Sequence, residues 1–274
     1  MTPQQHLTIA SAEHSDAWKY LDEVRARRGS DGMVDWPDFC FVPVDAMRTW
    51  LRRLAPDHRP GDPARLITLG AWRAAQGTYR FEQRLSAALL ATPLSDVVPA
   101  AVLRDLPEWS VYVETPQLPG SPGFFATLDH DLGRREGRRT ELWLLIDIND
   151  RLIPTAMALP DDGTVADGLA TIGRERPRPG VDPTAHHRVA SMMRSLIAAR
   201  LSLLLYLCGS PEVAGDWPLS RPVARKTRRL GPRLYPPSKP AVRYVGEQTG
   251  AALSEPPDAG QWQHSDGVLR WIAG

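Results

Sequence analysis

Carboxylate and imidazole side chains at close spacing are the groups with which this chain could do acid–base or metal chemistry. The densest such group is Asp129-His130-Asp131. On a strand, Asp129 and Asp131 face one side and His130 the other, so the three do not converge on one ion without a bulge. A second pair, His186-His187, lies near the start of a predicted helix, where adjacent side chains diverge by about 100°. We interpret the first group as a polar strand end that enters a solvated loop and the second as a poor chelate.

Local motifs of nucleotide, nucleophile and zinc enzymes are absent from the sequence. The glycines of segments 120–123 and 133–137 do not lie between a strand and a helix with the spacing of a phosphate-binding loop. There is no Gly-x-Ser-x-Gly, His-Glu-x-x-His or Cys-x-x-Cys sequence. Cys40 and Cys208 lie in apolar surroundings, which favours buried, reduced thiols over a disulfide or a reactive thiol. The sequence therefore predicts neither a metal nor a cofactor.

A basic segment near the C-terminus is the feature best suited to binding phosphates. Eight cations and no acidic residue fall within 23 residues, with one tyrosine inside this stretch and another directly after it. The cations are Arg221, Arg225, Lys226, Arg228, Arg229, Arg233, Lys239 and Arg243, and the tyrosines are Tyr235 and Tyr244. Such a segment attracts RNA, with the tyrosines as stacking faces. The alternative is a proline-rich tail that packs along an acidic face of its own domain.

Four aromatic residues, Trp72, Trp109, Tyr112 and Trp143, surround the predicted sheet and the third predicted helix. Core packing is the usual role of such side chains. The alternative is a groove for an extended peptide, which would suit a sheet with an available edge.

The elements that position these residues change type along the chain. Helical periodicity predicts helices over residues 12–28 and 45–54, a third from Asp62 to Gly77, and a fourth over 81–90. From Trp109 the period becomes 2, which predicts strands over 109–115, 123–131, 141–148 and 152–159, with Asn149-Asp150 as a tight turn. A short helix after Asp162, a long apolar helix over 184–207 and a last strand over 268–272 follow.

Strands joined by short turns form an antiparallel meander, so the predicted class is α+β. A helical N-terminal region over 1–105 packs on a central, mostly antiparallel sheet. The sheet and the long apolar helix occupy 106–210, and a basic, irregular C-terminal segment occupies 211–274, which we expect to form one compact unit with the rest. The net charge is +1, and the longest apolar stretch is interrupted by Arg200 and Ser202. We therefore expect a cytoplasmic protein without a membrane segment.

Short motifs in a fixed order resemble those of a known family. Leu69-Gly70-Ala71-Trp72-Arg73 precedes Gly77-Thr78-Tyr79 and the strand motif that starts at Leu106-Pro107-Glu108-Trp109. The later pieces are Gly123-Phe124-Phe125, Leu203 to Cys208 with Pro211-Glu212, Ser220-Arg221-Pro222, Tyr244-Val245-Gly246-Glu247 and Leu269-Arg270-Trp271. The series, which covers most of residues 36–274, resembles the second family of type V-A anti-CRISPR proteins.

The resemblance implies a binding protein and not a metabolic enzyme. Members of the family suppress production of the type V-A CRISPR effector nuclease. They recognise the N-terminal segment of the nascent effector and cause translation-dependent loss of its mRNA. The implied partners are therefore that N-terminal peptide or a related nascent chain, and the ribosome or mRNA.

The resemblance and the basic segment together indicate two sets of contacts. The expected peptide contacts are Trp72, Arg73, Trp109, Tyr112 and Glu114, and the expected RNA contacts are Arg225, Lys226, Arg228, Arg229 and Arg233. The family's longer tail, rich in Arg, His and Trp, is reduced here to Gln261-Trp262-Gln263-His264, so weaker mRNA degradation is expected. The alternatives are an RNA-binding protein without peptide specificity and a ribonuclease that uses His130 or His264 with a nearby carboxylate.

Overall fold

The computed structural model describes residues 1–30, 34–94, 97–132, 139–173, 182–210, 223–227, 231–235, 241–254 and 258–274. The helices are α1 (Pro3–Glu13), α2 (Ala17–Ala26), α3 (Val44–Leu54), α4 (Asp62–Ala75), α5 (Gln83–Ala91), α6 (Val165–Ala170), α7 (Pro183–Gly209) and α8 (Glu247–Ala251), with a 3-10 helix at Ala100–Asp105. The strands are β1 (Gly77–Phe81), β2 (Ser110–Glu114), β3 (Gly123–Asp131), β4 (Arg139–Ile148), β5 (Arg151–Leu159), β6 (Val223–Thr227), β7 (Gly231–Tyr235), β8 (Ala241–Val245), β9 (Gln261–Ser265) and β10 (Val268–Ile272). The predicted α+β class is confirmed.

Capping residues and backbone conformation determine where the N-terminal helices begin and end. Thr2 and Gln5 form a reciprocal capping box that starts α1. The helix predicted over 12–28 is therefore wrong in its start: α1 already ends at Glu13, and α2 begins separately after Asp16, whose side chain makes no capping hydrogen bond. Helix α4 begins at Asp62-Pro63 as predicted and ends at Ala75, because Gln76 adopts a left-handed φ of 54°.

A six-stranded sheet has the order β5-β4-β3-β2-β1-β8. Strands β2, β3 and β4 pair antiparallel, and β5 is next to β4, so the predicted meander is confirmed. Asn149 and Asp150 connect β4 to β5 with φ values of 49° and 65°. Positive φ at both central residues is what a two-residue hairpin turn of this kind requires, so the predicted tight turn is confirmed as well.

Strands β1 and β8, which complete the sheet, are missing from the sequence prediction. β1 pairs parallel with β2, with Tyr79 opposite Val113. Phe81, where a helix was expected to begin, is the last residue of β1, and α5 starts at Gln83 after a side-chain cap by Glu82. Parallel pairing joins segments that are distant along the chain, so local periodicity carries no sign of it.

The chain divides into two compact units, each assembled from three stretches. Unit 1 consists of Met1–Tyr79, Glu108–Pro154 and Pro218–Arg243, and unit 2 of Arg80–Pro107, Thr155–Trp217 and Tyr244–Gly274. The sequence divisions at 105/106 and 210/211 lie near two of the crossings between units. They differ from the observed units because the chain returns to each unit after leaving it.

The core of unit 1 lies between α4 and one face of the sheet. Tyr112, Phe125 and Leu145 are aligned across β2, β3 and β4 and are 0–2% exposed. Trp72 of α4, 2% exposed, meets Phe125 edge-on at 5.7 Å between ring centroids. Burying each such side chain contributes about 1.5–3 kcal/mol relative to its exposed state.

Unit 2 is organised around α7, which was predicted over 184–207. This helix packs against α5, α6, the 3-10 helix and β10. By length and composition it could cross a membrane, and 56% of its most apolar window is buried inside the protein, as in a core helix. The β9–β10 hairpin is fastened by Trp271, whose indole N–H donates to Thr92 Oγ1 at 3.0 Å. The predicted last strand, 268–272, is confirmed as β10.

Candidate functional site

Trp72 and Tyr112, two of the expected peptide contacts, belong to the core of unit 1. Each is 2% exposed, and both contact Phe125, with the Tyr112 ring centroid at 4.7 Å. The indole N–H of Trp72 donates to the carbonyl of Gly77 at 3.0 Å. In this structure the two side chains pack in the core, because α4 covers the sheet where they lie, and their role as peptide contacts stays a prediction.

Arg73, the third expected contact, forms a buried polar bridge. Its guanidinium bonds to Asp22 Oδ1 at 2.5 Å and donates to the carbonyl of Leu234 at 3.1 Å. The second carboxylate oxygen of Asp22 accepts the backbone N–H of Leu234 at 3.3 Å. Burial raises the pKa of Asp22, whereas Arg73 and the Leu234 N–H oppose that rise. Arg73 and Asp22 thus fasten β7 to α2 and α4.

A second buried ion pair joins the motif residues of β1 and β2 to the basic segment. Glu108 and Arg243 have side chains that are 2% and 13% exposed, and Oε1 lies 2.9 Å from Nη2. Arg243 also donates to the hydroxyl of Tyr79 at 3.1 Å. Burial raises the pKa of Glu108, and Arg243 counters this. A Cβ on Gly77 would lie 1.8 Å from Glu108 Oε2, so the carboxylate fits only because residue 77 is glycine.

Sequence reasoning missed the structural role of this pair. It used Glu108 only as part of a motif and counted Arg243 among the phosphate-binding candidates. The available signal was an acidic residue set between the apolar residues Leu106 and Trp109. A buried acid of this kind requires a cationic partner, but its position along the chain gives no indication of which cation that is.

Trp109, the fourth expected contact, keeps part of its surface accessible. Its indole N–H donates to the carbonyl of Asp38 at 2.9 Å, and the Arg25 guanidinium lies 4.6 Å from its ring centroid. Arg25 in turn donates to the carbonyls of Cys40 and Phe41 at 2.8 and 3.0 Å. The Asp38 side chain is 91% exposed. Arg25 and Phe41, whose ring centroid is 5.2 Å away, hold the indole in place, and the Asp38 carboxylate pairs with Arg28.

Glu114, the fifth expected contact, lies at the other end of β2 and is partly buried. Burial raises the pKa of Tyr112, and the charges of Asp147 and Glu114 add to that rise. Asp147 is itself bonded to His6, with Nε2 and Oδ2 2.7 Å apart. The five expected residues therefore divide into two core aromatics, one polar bridge and the two ends of β2. The structure does not bring them together in one open groove.

The basic segment is described only in part. Arg225 and Lys226 lie in β6, as register partners of Arg233 and Pro232 in β7. Arg228 and Arg229 lie outside the described residues. Arg233 Nη1 is 3.8 Å from Glu23 Oε1 on α2. The Arg233–Glu23 and Asp22–Leu234 contacts support the alternative that the segment packs on an acidic face of its own domain.

Asp129 and His130, expected at a solvated strand end, are buried at 4% and 7% exposure. That expectation is wrong, because Asp129 accepts the backbone N–H of Val44 at 3.0 Å and so caps α3. The carboxylate lies 3.8 Å from the Cys40 sulfur, and burial raises its pKa to about 7. His186 contacts the carbonyl of Gly173 at 3.1 Å. Within the described ranges, no group of three or more His, Cys, Asp or Glu side chains could hold a metal ion.

Comparison with known proteins agrees with this architecture. The profile of the AcrVA2-like family, described as the anti-CRISPR type V subtype A2 family, matches residues 79–267. No curated protein matches the chain. The crystal structure of AcrVA2 aligns with a TM-score of 0.68 at 20% identity, over 100% of this chain and 98% of that one. The two chains share a fold.

Proposed function

We propose a function for this chain on the premise that it belongs to the anti-CRISPR type V subtype A2 family, whose profile covers more than half of its length. Membership gives the chain an anti-CRISPR role. We propose further that it acts in the cytoplasm on a type V-A effector nuclease or a similar target. It recognises the N-terminal segment of the nascent polypeptide and lowers expression through translation-dependent loss of the mRNA.

The family match over residues 79–267 carries this proposal. A second observation supports it: residues from separate family-like motifs assemble in unit 1. Trp72 bonds to Gly77, and Arg243, next to the Tyr244 motif, joins Glu108 to Tyr79. The motif residues Trp72, Gly77, Tyr79 and Glu108 therefore meet in unit 1, whereas the pieces that start at Leu203, Tyr244 and Leu269 belong to unit 2.

We place the direct peptide contact at the Trp109 end of β2. Trp109 offers partly exposed aromatic surface, and the neighbouring Asp35 and Asp38 side chains are 68% and 91% exposed. Aromatic side chains with flanking charges are common anchors in recognition sites. In this proposal Trp72, Arg73 and Tyr112 hold β2 and its surroundings in place, and Glu114 marks the opposite limit of the site. Both carboxylates pair with Arg28, so a cationic group of the peptide would share them with that arginine.

A binding measurement tests the peptide part. The labelled N-terminal peptide of a type V-A effector is titrated with the wild-type protein and with Trp109→Ala and Asp38→Asn. Trp143→Phe is the control, because Trp143 also packs against the unit 1 core. We expect Trp109→Ala to weaken binding at least tenfold, as expected for loss of about 1.4 kcal/mol or more at an aromatic anchor. No binding by folded wild-type protein would reject this target.

A reporter experiment tests the effect on expression. The first codons of the effector gene are fused to a fluorescent reporter, and reporter protein and mRNA are both measured with and without the anti-CRISPR chain. A matched reporter with an inactivated start codon has the same RNA but is not translated. The proposal requires mRNA loss from the translated reporter alone, whereas equal loss from both would indicate recognition of RNA without the peptide.

One observation favours a second candidate, RNA binding without peptide specificity. In the β6–β7 hairpin, Arg225 is directly opposite Arg233, and Lys226 is adjacent. Cations concentrated on a two-stranded ribbon are suited to phosphate contacts. RNA affinity that falls steeply with salt and is unchanged by Trp109→Ala would favour this candidate.

A further inference from the structure

The first half of α7, in unit 2, carries a row of apolar side chains that solvent can reach. The row consists of Ala185, Val189, Met192, Leu196 and Ala199. Val189 and Met192 are each 54% exposed, Ala185 is exposed, and Leu196 and Ala199 are partly exposed. We call these five residues the apolar row.

The members of the apolar row follow one another along α7 at steps of four, three, four and three residues. Alternating steps of this kind place side chains on one side of a helix and are typical of helices that pack side by side. The next residue of the series, Leu203, is 0% exposed, so the same pattern continues into the core of unit 2. The apolar row is therefore the exposed continuation of a packing face.

The side of α7 away from the apolar row is already in contact with its own unit. Ala190 is 6% exposed and lies so close to Gly173 that a Cβ on the glycine would be 2.2 Å from the Ala190 Cβ. Arg194 donates to the carbonyl of Ile172 at 3.1 Å, and α6 packs on α7 as well. These contacts hold the first half of α7 from one side and leave the apolar row accessible on the other.

Single exposed apolar side chains are common on protein surfaces and need no partner. The isolated Ile9 on α1 and Leu54 on α3 are of that kind. Among the described helices, α7 alone carries two large apolar side chains that are exposed, and both belong to the apolar row. A row with this spacing is the surface on which a second helix packs.

The order of side-chain sizes in the apolar row is complementary to a second copy of itself. Alanines stand at both ends, Val189 and Leu196 lie inside them, and Met192 is in the middle. If two copies of α7 pack antiparallel about a two-fold axis at Met192, Ala185 of each copy meets Ala199 of the other, and Val189 lies near Leu196. An interface between identical surfaces requires such self-complementarity, because every contact is made twice.

The charge beside the apolar row favours antiparallel over parallel pairing. Helix α7 contains no acidic residue, and Arg188 is exposed at the edge of the row. A parallel pair would bring the two Arg188 side chains together, and such juxtaposition of like charges is unfavourable. In the antiparallel pair, Arg188 of one copy lies level with Ser195 of the other, because the two residues are four before and three after Met192.

We propose that the apolar row is a self-association surface, on which a second copy of the chain packs its own α7 antiparallel, with the two Met192 side chains at the centre. The row extends over about 21 Å of helix. One such helix per copy gives an interface smaller than the ~1,200 Å² of stable complexes, so we expect a weak dimer with a dissociation constant of about 10–100 μM. The inference is independent of the proposed function, since it uses residues of unit 2 alone.

Sedimentation velocity of the full chain between about 1 and 300 μM tests the self-association. The wild type should change from monomer to dimer over this range. Met192→Lys places two cations at the centre of the interface and should weaken the dimer at least tenfold. His187→Lys is the matched control, because His187 is exposed and lies about 140° around the helix from Met192, and it should leave the dimer unchanged within about threefold. Thermal unfolding of each variant verifies that it is folded.

Cysteine crosslinking tests the arrangement of the two helices. Under a mild oxidant, Met192→Cys should form a disulfide-linked dimer, because the two-fold axis brings both copies of residue 192 within reach of each other. Ala185→Cys alone should not, since its two copies are about 21 Å apart along the helix, whereas a mixture of Ala185→Cys and Ala199→Cys should crosslink. His187→Cys and the wild type, which retains Cys40 and Cys208, are the controls.

Three results would overturn the proposal. They are a wild type that stays monomeric at every concentration, a dimer that is as strong in Met192→Lys as in the wild type, and crosslinking of Ala185→Cys with itself, which requires a parallel pair. A monomeric wild type that binds phosphatidylcholine vesicles, with binding lost in Met192→Lys, would also overturn it and assign the apolar row to a lipid surface.

Discussion

Three buried carboxylates of unit 1 each bind one specific hydrogen-bond donor or cation. Asp22, Glu108 and Asp129 are 1%, 7% and 4% exposed, and each meets a specific donor: Arg73, Arg243 and the backbone N–H of Val44. A buried charge that loses its partner costs several kcal/mol. These three acids therefore make stability sensitive to single substitutions and to pH.

Asp129→Asn should flatten the dependence of stability on pH. The folded-state pKa of Asp129 is about 7, above its ordinary value of 3.8, because burial disfavours the charged form. The folded protein thus binds the extra proton more strongly than the unfolded chain, and this contribution to stability is lost as pH rises through about 7. Asparagine keeps an acceptor for the Val44 N–H but does not ionise. We expect the thermal unfolding midpoint of the variant, relative to that of wild type, to increase between about pH 5 and pH 8. A difference in midpoint that does not change with pH would contradict the raised pKa of Asp129.

Arg243→Met should destabilise the protein by about 3–5 kcal/mol, because Glu108 would remain buried without its cation. The double variant Glu108→Gln, Arg243→Met should recover much of that loss, since neither group is then charged. Denaturant unfolding measures both. Arg270→Met, at an exposed position, is the control and should shift the midpoint little. An Arg243→Met protein as stable as wild type would show that the Glu108–Arg243 ion pair does not contribute to stability.

At the scale of elements, hairpin turns can be predicted from the sequence, whereas strands that pair with distant segments cannot. Two tight hairpin turns among the described residues use positive φ at consecutive positions: Asn149-Asp150 between β4 and β5, and Asp266-Gly267 between β9 and β10. Such turns have a compositional signature, which predicted the first turn, whereas the Asp-Gly pair of the second, a stronger signature, was missed. Strand β1 was not, because its partner β2 lies beyond α5 and the 3-10 helix in sequence.

Gly267→Ala should destabilise the β9–β10 hairpin by about 1 kcal/mol through backbone strain alone. The residue has a φ of 75°, and a Cβ there would meet no atom within 4 Å. A steric clash is thus excluded as the cause. Amide hydrogen exchange on Gln261–Ser265 and Val268–Ile272 should accelerate, while exchange in β2 to β4 stays unchanged. Unchanged protection of the hairpin would contradict the role given to this turn.

The same contrast applies to the candidate site. Sequence patterns located Trp72, Trp109 and Tyr112 beside the sheet, and core packing, the ordinary interpretation of all three, is what Trp72 and Tyr112 do. The patterns could not show that Arg73 serves Asp22 or that Tyr20 stacks on Trp50. Those contacts join different helices, and pairing across helices depends on the tertiary packing and not on local periodicity.

At the scale of the whole molecule, each unit depends on distant parts of the chain. A chain ending at residue 210, a border suggested by the sequence, lacks β6, β7 and β8. Asp22 then loses the Leu234 N–H and Glu108 loses Arg243. We expect this truncated chain to lose cooperative thermal unfolding, followed by circular dichroism, relative to the full chain. A truncated chain with an unchanged midpoint would show that the C-terminal strands are dispensable for unit 1.

The order in which the ribosome makes these segments follows from the interleaved units. Unit 1 includes residues up to Arg243, and the first stretch of unit 2, Arg80–Pro107, is made before the second stretch of unit 1, Glu108–Pro154. During synthesis, Glu108 therefore has no cationic partner until Arg243 has been made. A protein proposed to recognise other chains as they emerge thus completes its own buried ion pair only after all the residues between Glu108 and Arg243 have been translated.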